Sequence, residues 1–159
     1  MLFGANVTVV KLMINVKIKV LRDDVQIPSY ATEGSAAVDL RYSGDEPIKI
    51  SPNERKLIPT GIAIAPETSD VVAILCARSG LASKRGLTLS NGIGVIDSDY
   101  RGEICAAMIN HGDTEIILEP GERIAQLMFV PVLTANFIKS NELGETIRGA
   151  GGFGSTGTK

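Results

Sequence analysis

Short apolar stretches, separated by Gly, Pro, Asn and Asp, recur along most of the chain. The clearest is residues 14–21, where valine and isoleucine alternate with two lysines, as expected for a strand with one buried face. Residues 79–85 favour a short helix. Further strands are predicted at residues 37–41, 48–50, 55–59, 61–65, 71–77, 93–96, 103–110, 115–118 and 123–131.

The spacing of these stretches predicts the fold class. Turn signals recur about every 8–12 residues, which is typical of an all-β barrel or sandwich. We expect a β-barrel domain over residues 13–139, preceded by a possible extension at residues 1–12. Several predicted strands, such as 71–75 and 104–109, are apolar on both faces. A homo-oligomer would cover the second face, whereas a two-layer sandwich would bury it within one chain.

Length and composition indicate one globular domain. The chain has 159 residues, a net charge of −2 and no tryptophan, so we expect an aliphatic core. The acidic balance argues against a nucleic-acid-binding protein. No stretch approaches the ~20 apolar residues of a membrane span, and residues 1–14 make a poor signal peptide, so we expect a cytoplasmic protein without a membrane anchor. Cys76 and Cys105 lie in apolar runs without a CxxC pattern, which disfavours zinc.

A glycine-rich segment at residues 148–157 combines Arg148 and Phe153 with two hydroxyl side chains. Glycine amides can approach phosphate oxygens, arginine can bind them in a bidentate manner, and an aromatic ring can stack on a nucleobase. We therefore predict that residues 140–159 form a flexible arm that becomes ordered on a nucleotide. The alternative is a solvated terminus without a ligand.

Two further places in the chain could contribute to an anion site. Arg78, Ser79 and Gly80 stand where a strand ends and a helix is predicted, so helix amides and an arginine could meet an anion. Ser79 as an ordinary N-cap is the alternative. Asp39 and Gln126 are polar residues within apolar strands. Asp39 could orient an arginine or hold a metal-bound water, and Gln126 could simply face outward.

The segment from Asn91 to Tyr100 offers groups that could act on a nucleotide. Asn91 and Gly92 predict a hairpin turn, whose exposed backbone could bind the edge of a base. Asp97 ends an apolar strand, where burial would fix its carboxylate as a general base. Tyr100 could form a wall beside a sugar. An ordinary acidic turn is the alternative for this segment.

Taken in chain order, these segments resemble the five motifs of the trimeric dUTP diphosphatases, or dUTPases. The matching residues are 36–40, 77–82, 94–102, 120–126 and 148–157. The third and fifth of these are the most specific. Ala37 and Ala77 stand where the family usually has glycine and proline, and neither change removes a functional group.

The resemblance implies a jelly-roll-like β-barrel that assembles as a homotrimer, with each active site at a subunit boundary and closed by the arm of a neighbour. The implied reaction is attack of water on the α-phosphorus of dUTP, which releases pyrophosphate and leaves dUMP. The reaction would limit uracil in DNA and supply dUMP for dTMP synthesis. Mg²⁺ would bind mainly to the triphosphate, with Asp39 in its outer shell.

The same resemblance implies a role for each site residue. Asp97 would activate the water, Tyr100 would exclude a ribose 2′-hydroxyl, and Phe153 would stack on uracil. Uracil and its sugar would contact Asn91, Val95, Ile96 and Cys105, and the phosphates would contact Arg78, Ser79, Gly80, Gln126 and Arg148. Gly154 is a further substrate-binding residue of the arm.

Two other functions stay open at this point. A dCTP deaminase has the same fold but activates water against the base, and a nucleotide-sensing trimer would bind without turnover. The aromatic ring in the arm and the turn at residues 97–100 favour the diphosphatase over the deaminase. A pure sensor would have no need of Asp97 as a base.

Overall fold

The computed structural model describes residues 13–153 and shows eleven strands and one short helix in that range. The predicted extension at residues 1–12 lies outside the described residues. The elements in chain order are β1 (Val16–Val20), β2 (Val38–Arg41), β3 (Ile48–Ile50), β4 (Arg55–Pro59), β5 (Ile62–Pro66), β6 (Val71–Ala77), α1 (Ser79–Arg85), β7 (Leu87–Leu89), β8 (Gly94–Ile96), β9 (Cys105–Asn110), β10 (Ile116–Leu118) and β11 (Arg123–Pro131).

The strand and helix predictions are confirmed, with ends that differ by two residues at most. One strand was missed, β7, because its three residues follow the helix directly and leave no room for an alternating pattern. Gly86 separates the two elements. Its φ of +69° and its amide, which donates to Ala82, end the helix in the left-handed geometry that glycine favours.

The strands pair antiparallel in four small sheets that form the predicted all-β, jelly-roll-like fold. The largest sheet has the order β2-β11-β6-β8, and a three-stranded sheet has the order β4-β9-β7. Two further pairs join β1 to β5 and β3 to β10. In this arrangement β2, β11 and β6 are neighbours although they are far apart in the sequence, which matters for the site.

The core between the sheets is aliphatic, as the absence of tryptophan predicts. Among the largest fully buried side chains are Leu40, Ile50, Ile58, Leu87, Met108, Leu118 and Ile124. Each complete burial of such a side chain stabilises the fold by about 1.5–3 kcal/mol. The helix α1, the one helix among residues 13–153, is not long and apolar enough to cross a membrane.

The second faces of β6 and β9 remain only partly covered in the single chain. Along β6, Val71, Ala73 and Leu75 are buried, while the alternating residues Val72 and Ile74 are half-buried. The burial pattern of β9 alternates in the same way. A partly exposed apolar face of this kind is what the homo-oligomer hypothesis requires, and that hypothesis stays a prediction.

The chain leaves the barrel after β11, earlier than the predicted start of the arm at residue 140. The exposed stretch that follows Pro131 is therefore also part of the arm. Among residues up to 153, its last hydrogen bond to the barrel is from the amide of Val132 to the carbonyl of Asp70, at 2.9 Å. Beyond Val132, the hydrogen bonds within the described part of the chain join arm residues to one another. Leu133 and Phe137 are 99% and 94% exposed, so these apolar side chains have no cover on their own barrel.

Candidate functional site

One cavity, of about 320 Å³, is lined by all six residues predicted to surround the base and sugar. These residues are Asn91, Val95, Ile96, Asp97, Tyr100 and Cys105. Asn91 comes from the turn between β7 and β8, and the other five come from β8, β9 and the loop between them. Leu57 and Leu75 add apolar surface from β4 and β6. The sequence placed these residues in two segments, and strand pairing brings the segments to one cavity.

The turn at Asn91 and Gly92 differs from the predicted hairpin. Gly92 has a φ of +75°, as such a turn requires, and its amide donates to the carbonyl of Leu89. The strands on either side do not pair with each other, because β7 pairs with β9 and β8 pairs with β6. The turn therefore connects two sheets and lies at the mouth of the cavity that they border.

Asp97 is exposed at the edge of this cavity, so the expectation that burial fixes its carboxylate is wrong for the single chain. The backbone holds the residue instead. The amide of Tyr100 donates to the carbonyl of Asp97 at 3.1 Å, and the guanidinium of Arg101 donates to the carbonyls of Ser98 and Tyr100 at 2.7 and 2.9 Å. These bonds close the loop into a compact turn that presents the carboxylate to the cavity.

Cys105 lies at the cavity wall as a neutral thiol. Burial raises the pKa of Cys105, and the nearby carboxylate of Glu103 raises it further. Because the thiolate is the reactive form, this environment suits Cys105 to an apolar contact rather than to nucleophilic catalysis.

A second group of predicted residues gathers around Asp39, on neighbouring strands of the largest sheet. Asp39 pairs with Gln126 across β2 and β11, and Gln126 pairs with Cys76 across β11 and β6. The carboxylate of Asp39 accepts from Nε of Arg78 at 2.9 Å and from Nη1 of Arg123 at 3.1 Å. Asp39 therefore has one of the two roles predicted for it, because its carboxylate orients the guanidinium of Arg78.

These contacts fix one edge of the Arg78 guanidinium. Its Nη1 donates to the carbonyl of Arg123 at 3.2 Å while its Nε binds Asp39. Within the described residues Nη2 has no hydrogen-bond partner, so it can serve a phosphate oxygen. Gln126 donates to the carbonyl of Ala77 at 2.9 Å and is half-buried, rather than facing outward as the alternative for it proposed.

The start of α1 adds backbone donors beside Arg78. The N-cap is Arg78, which makes no side-chain cap hydrogen bond, so the alternative of Ser79 as an N-cap is wrong. The first intrahelical bond runs from Ala82 to the carbonyl of Arg78, at 3.0 Å. The preceding amides are therefore available to an anion. A Cβ added at Gly80 would meet no atom within 4 Å, so the surface there is open to an incoming ligand.

The two groups of residues lie at opposite ends of β6. Ile96 pairs with Ala73, and the same register continued by one residue beyond the end of β8 puts Asp97 opposite Val72, whereas Arg78 directly follows Ala77. Six positions along a strand, from 72 to 78, span about 20 Å at about 3.3 Å per residue. Within one chain, the predicted base and the predicted phosphate-binding arginine therefore do not meet.

Arg148 and Phe153 are separate from both groups. Nε of Arg148 donates to the carbonyl of Gly151 at 3.0 Å within the arm. The side chain of Phe153 is fully exposed. Gly154 lies outside the described residues. The arm thus presents its two candidate ligand groups to solvent.

A larger cavity, of about 410 Å³, lies between the segment at residues 24–31 and β2. Asp39 and Arg123 line its wall, and Asp39 is the only predicted site residue among the described residues that line it. It extends the surface around the Asp39 group but has no candidate for a general base that the sequence motifs support.

The carboxylates of the site offer few ligands for Mg²⁺. Among residues 13–153, no group of three or more His, Cys, Asp or Glu side chains could hold a metal ion. Asp39 is already bound to two arginines, which disfavours its direct coordination of a cation. The residues therefore fit an ion that is bound mainly by a phosphorylated ligand, and they do not fit a metal site made by the protein alone.

Arg123 is a site residue that the sequence patterns did not single out. It lies within the fourth motif, but its link to Asp39 depends on the pairing of β2 with β11. Next to it, Glu122 accepts from Arg85, the last residue of α1, at 2.5 Å. The Arg85–Glu122 pair ties the end of α1 to the start of β11, and the hydrogen bond from Arg78 to the carbonyl of Arg123 ties the beginning of α1 to the same place. No local sequence pattern reveals these contacts.

Comparisons with known proteins agree on one family. The dUTPase family model matches residues 23–157. The deoxyuridine 5′-triphosphate nucleotidohydrolase of Desulfitobacterium hafniense is 52% identical over 146 residues, which cover 91% of this chain and 97% of the relative.

Solved structures agree on the fold. The dUTPase of Staphylococcus bacteriophage 80alpha, in a structure with dUpNHpp, has a TM-score of 0.81 at 26% identity and covers 90% of this chain and 98% of its own. A dUTPase from phage phi11 of S. aureus, described with a structural Mg(II) ion, has a TM-score of 0.74 at 20% identity, covering 82% of this chain and 99% of its own.

Proposed function

This chain belongs to the dUTPase family, and we propose on that basis that it hydrolyses dUTP to dUMP and pyrophosphate. The observation that carries the proposal is the single cavity lined by the six residues of the predicted base and sugar site. The reaction limits uracil in DNA and supplies dUMP for dTMP synthesis. We expect it to take place in the cytoplasm, where nucleotide pools are used.

Asp97 acts as the general base in this proposal. Its carboxylate takes a proton from a water that attacks the α-phosphorus, and pyrophosphate leaves from the opposite side. The same carboxylate binds the sugar 3′-hydroxyl, so the nucleotide and the water are aligned by one group.

The remaining roles follow the two groups of residues. Asn91 and the adjacent backbone bind uracil, while Val95, Ile96 and Cys105 form an apolar border to the base and sugar. The phosphates are bound by Arg78, Ser79, Gly80 and Gln126, with Arg123 and Asp39 holding Arg78 in place. From the arm, Arg148 binds the outer phosphates, Phe153 stacks on uracil, and Gly154 contacts the substrate.

A complete site requires more than one chain. The water activated by Asp97 must reach the α-phosphorus, but Arg78 of the same chain lies about 20 Å from Asp97. We therefore place Asp97 of one subunit beside Arg78 of another, in a homotrimer whose third member contributes the arm. The partly covered apolar faces of β6 and β9 supply surface for this assembly.

Mixing two inactive variants tests the shared site. Asp97→Asn and Arg78→Gln trimers should each be nearly inactive, whereas trimers reassembled from an equal mixture should regain a measurable share of wild-type turnover. The gain arises because some sites then combine an intact Asp97 with an intact Arg78. Each variant reassembled alone is the control, and a mixture no more active than its components would contradict the shared site.

Mg²⁺ is bound mainly by the triphosphate in this proposal, with Asp39 in its outer shell. When bound, the ion neutralises phosphate charge and favours one conformation of the triphosphate. On the protein side, Asp39 keeps its hydrogen bonds to Arg78 and Arg123 and thereby positions the guanidinium.

Product analysis with four nucleotides tests the activity. With Mg²⁺ present, we expect pyrophosphate release from dUTP and at most about 1% of that rate from dCTP, dTTP and UTP. The site that binds the edge of uracil rejects the bases of dCTP and dTTP, and Tyr100 rejects the 2′-hydroxyl of UTP. Ammonia release from dCTP would instead identify a deaminase. Binding of dUTP without pyrophosphate release would identify a sensor.

A further inference from the structure

The ring of Tyr100 lies directly against Gly102. A Cβ added at Gly102 would stand 2.5 Å from Cζ and 3.0 Å from Cε2 of Tyr100, with the phenolic oxygen nearer still. No real Cβ tolerates such contacts, so any larger residue at 102 would displace the ring. Gly102 therefore provides the space that the ring occupies, and its glycine is required by this close approach and not by its backbone torsion.

Glu103 binds the hydroxyl group of the same ring. The Tyr100 hydroxyl donates to the carbonyl of Glu103 at 3.1 Å. The carboxylate of Glu103 in turn accepts from the amide of Gly61 at 2.7 Å, in the turn between β4 and β5. The β4–β5 turn is also bound to Ile104, the residue after Glu103. The amide of Ile104 donates to the carbonyl of Ile62 at 2.8 Å, and the hydroxyl of Thr60 donates to the carbonyl of Ile104 at 2.5 Å.

These contacts matter because the core does not hold the ring. Tyr100 is 46% exposed, whereas Gly61, Thr60 and Ile104 belong to the buried framework. A side chain in this position would otherwise move away from a bulkier ligand at little energetic cost. A wall discriminates between ligands only if it resists displacement, since selectivity is a difference between two binding free energies.

We propose that Gly102 and Glu103 are positioning residues that set the selectivity for deoxyribose by fixing the ring of Tyr100. The inference rests on the proposed function, in which Tyr100 excludes the ribose 2′-hydroxyl. Gly102 acts through the shape of the loop. The main-chain carbonyl of Glu103 accepts from the ring hydroxyl, and the side chain of Glu103 holds that carbonyl in place by accepting from Gly61 in the β4–β5 turn. Neither residue needs to touch the reacting atoms.

The ratio of kcat/KM for dUTP to that for UTP measures this selectivity. We expect Gly102→Ala and Glu103→Ala to lower the ratio by about 10- to 100-fold, mainly through faster turnover of UTP, which is the range over which a pocket rejects an added hydroxyl. Glu103→Gln should keep the ratio, because its side-chain carbonyl can still accept from Gly61. Gly34→Ala is the matched control, since a Cβ there meets no atom within 4 Å.

A purely structural role gives a different result. It would lower kcat/KM for both nucleotides together, or lower the melting temperature, and would leave the ratio unchanged. An unchanged ratio in both Gly102→Ala and Glu103→Ala overturns the proposal. If the wild-type protein does not hydrolyse dUTP, the proposed function fails, and the ratio of Kd values for the two nucleotides then tests the inference by the same criterion.

Tyrosine ring signals in NMR test the geometry without any turnover. The chain has three tyrosines and no tryptophan, so ¹³C-labelled tyrosine gives few signals, and Tyr100→Phe assigns the relevant one. Gly102→Ala should shift the Tyr100 signal and leave those of Tyr30 and Tyr42 in place. A Tyr100 signal that does not move would also overturn the proposal.

Discussion

Replacing Asp97 with Asn is expected to lower kcat for dUTP by about 10²–10⁴-fold while nucleotide binding and assembly persist. Asn has the same shape but cannot take a proton from water at neutral pH. Since Asp97 is exposed and lies in a turn held by backbone hydrogen bonds, the change should leave the fold intact. Single-turnover hydrolysis of dUTP and the Kd of a non-hydrolysable analogue separate chemistry from binding.

Asp99→Asn is the matched control for this experiment. Asp99 is an exposed carboxylate in the same loop, but it is not among the residues that line the cavity. We expect its substitution to change kcat less than threefold, an effect of about 0.6 kcal/mol or less. Near-normal turnover in Asp97→Asn would show that another group activates the water, and the cavity would then need a different base.

Removal of residues 148–159 should lower kcat/KM for dUTP by about 10²–10³-fold, the range for loss of a donor to developing transition-state charge, with little change in thermal stability. We expect the barrel to keep its fold without this segment, because among residues 132–153 the last hydrogen bond to the barrel is at Val132. The truncation removes Arg148 from the phosphates and Phe153 from uracil. Steady-state kinetics and a melting curve on the same sample measure the two effects.

Single substitutions in the arm divide this effect between charge and stacking. Arg148→Gln should account for most of the loss, whereas Lys139→Gln removes a cation from the same arm outside the fifth motif and should have little effect. Phe153→Ala should mainly raise KM, since stacking on a base contributes about 1–3 kcal/mol. Full activity in the truncated protein would show that the segment is only a solvated terminus.

The strands and the helix could be predicted because their signals are local. Alternation of apolar and polar residues depends only on neighbours in the chain, as does the glycine that ends α1. The order of the five motifs identified the family for the same reason. β7 was missed because three residues are too few for a pattern to appear. The burial expected for Asp97 was wrong, because strand position alone does not say what covers a residue.

The secondary-structure elements, the aliphatic core and the identity of the candidate groups could be predicted, since each follows from the residue types along a short stretch. Which groups are neighbours depends on the tertiary structure. The pairing of β2, β11 and β6 brings Asp39, Arg78 and Arg123 together, and the register of β8 on β6 separates Arg78 from Asp97. The contact between Tyr100 and Gly102 likewise depends on how the loop folds back. Long-range strand pairing carries no local signature, because it results from burial of the whole apolar surface at once.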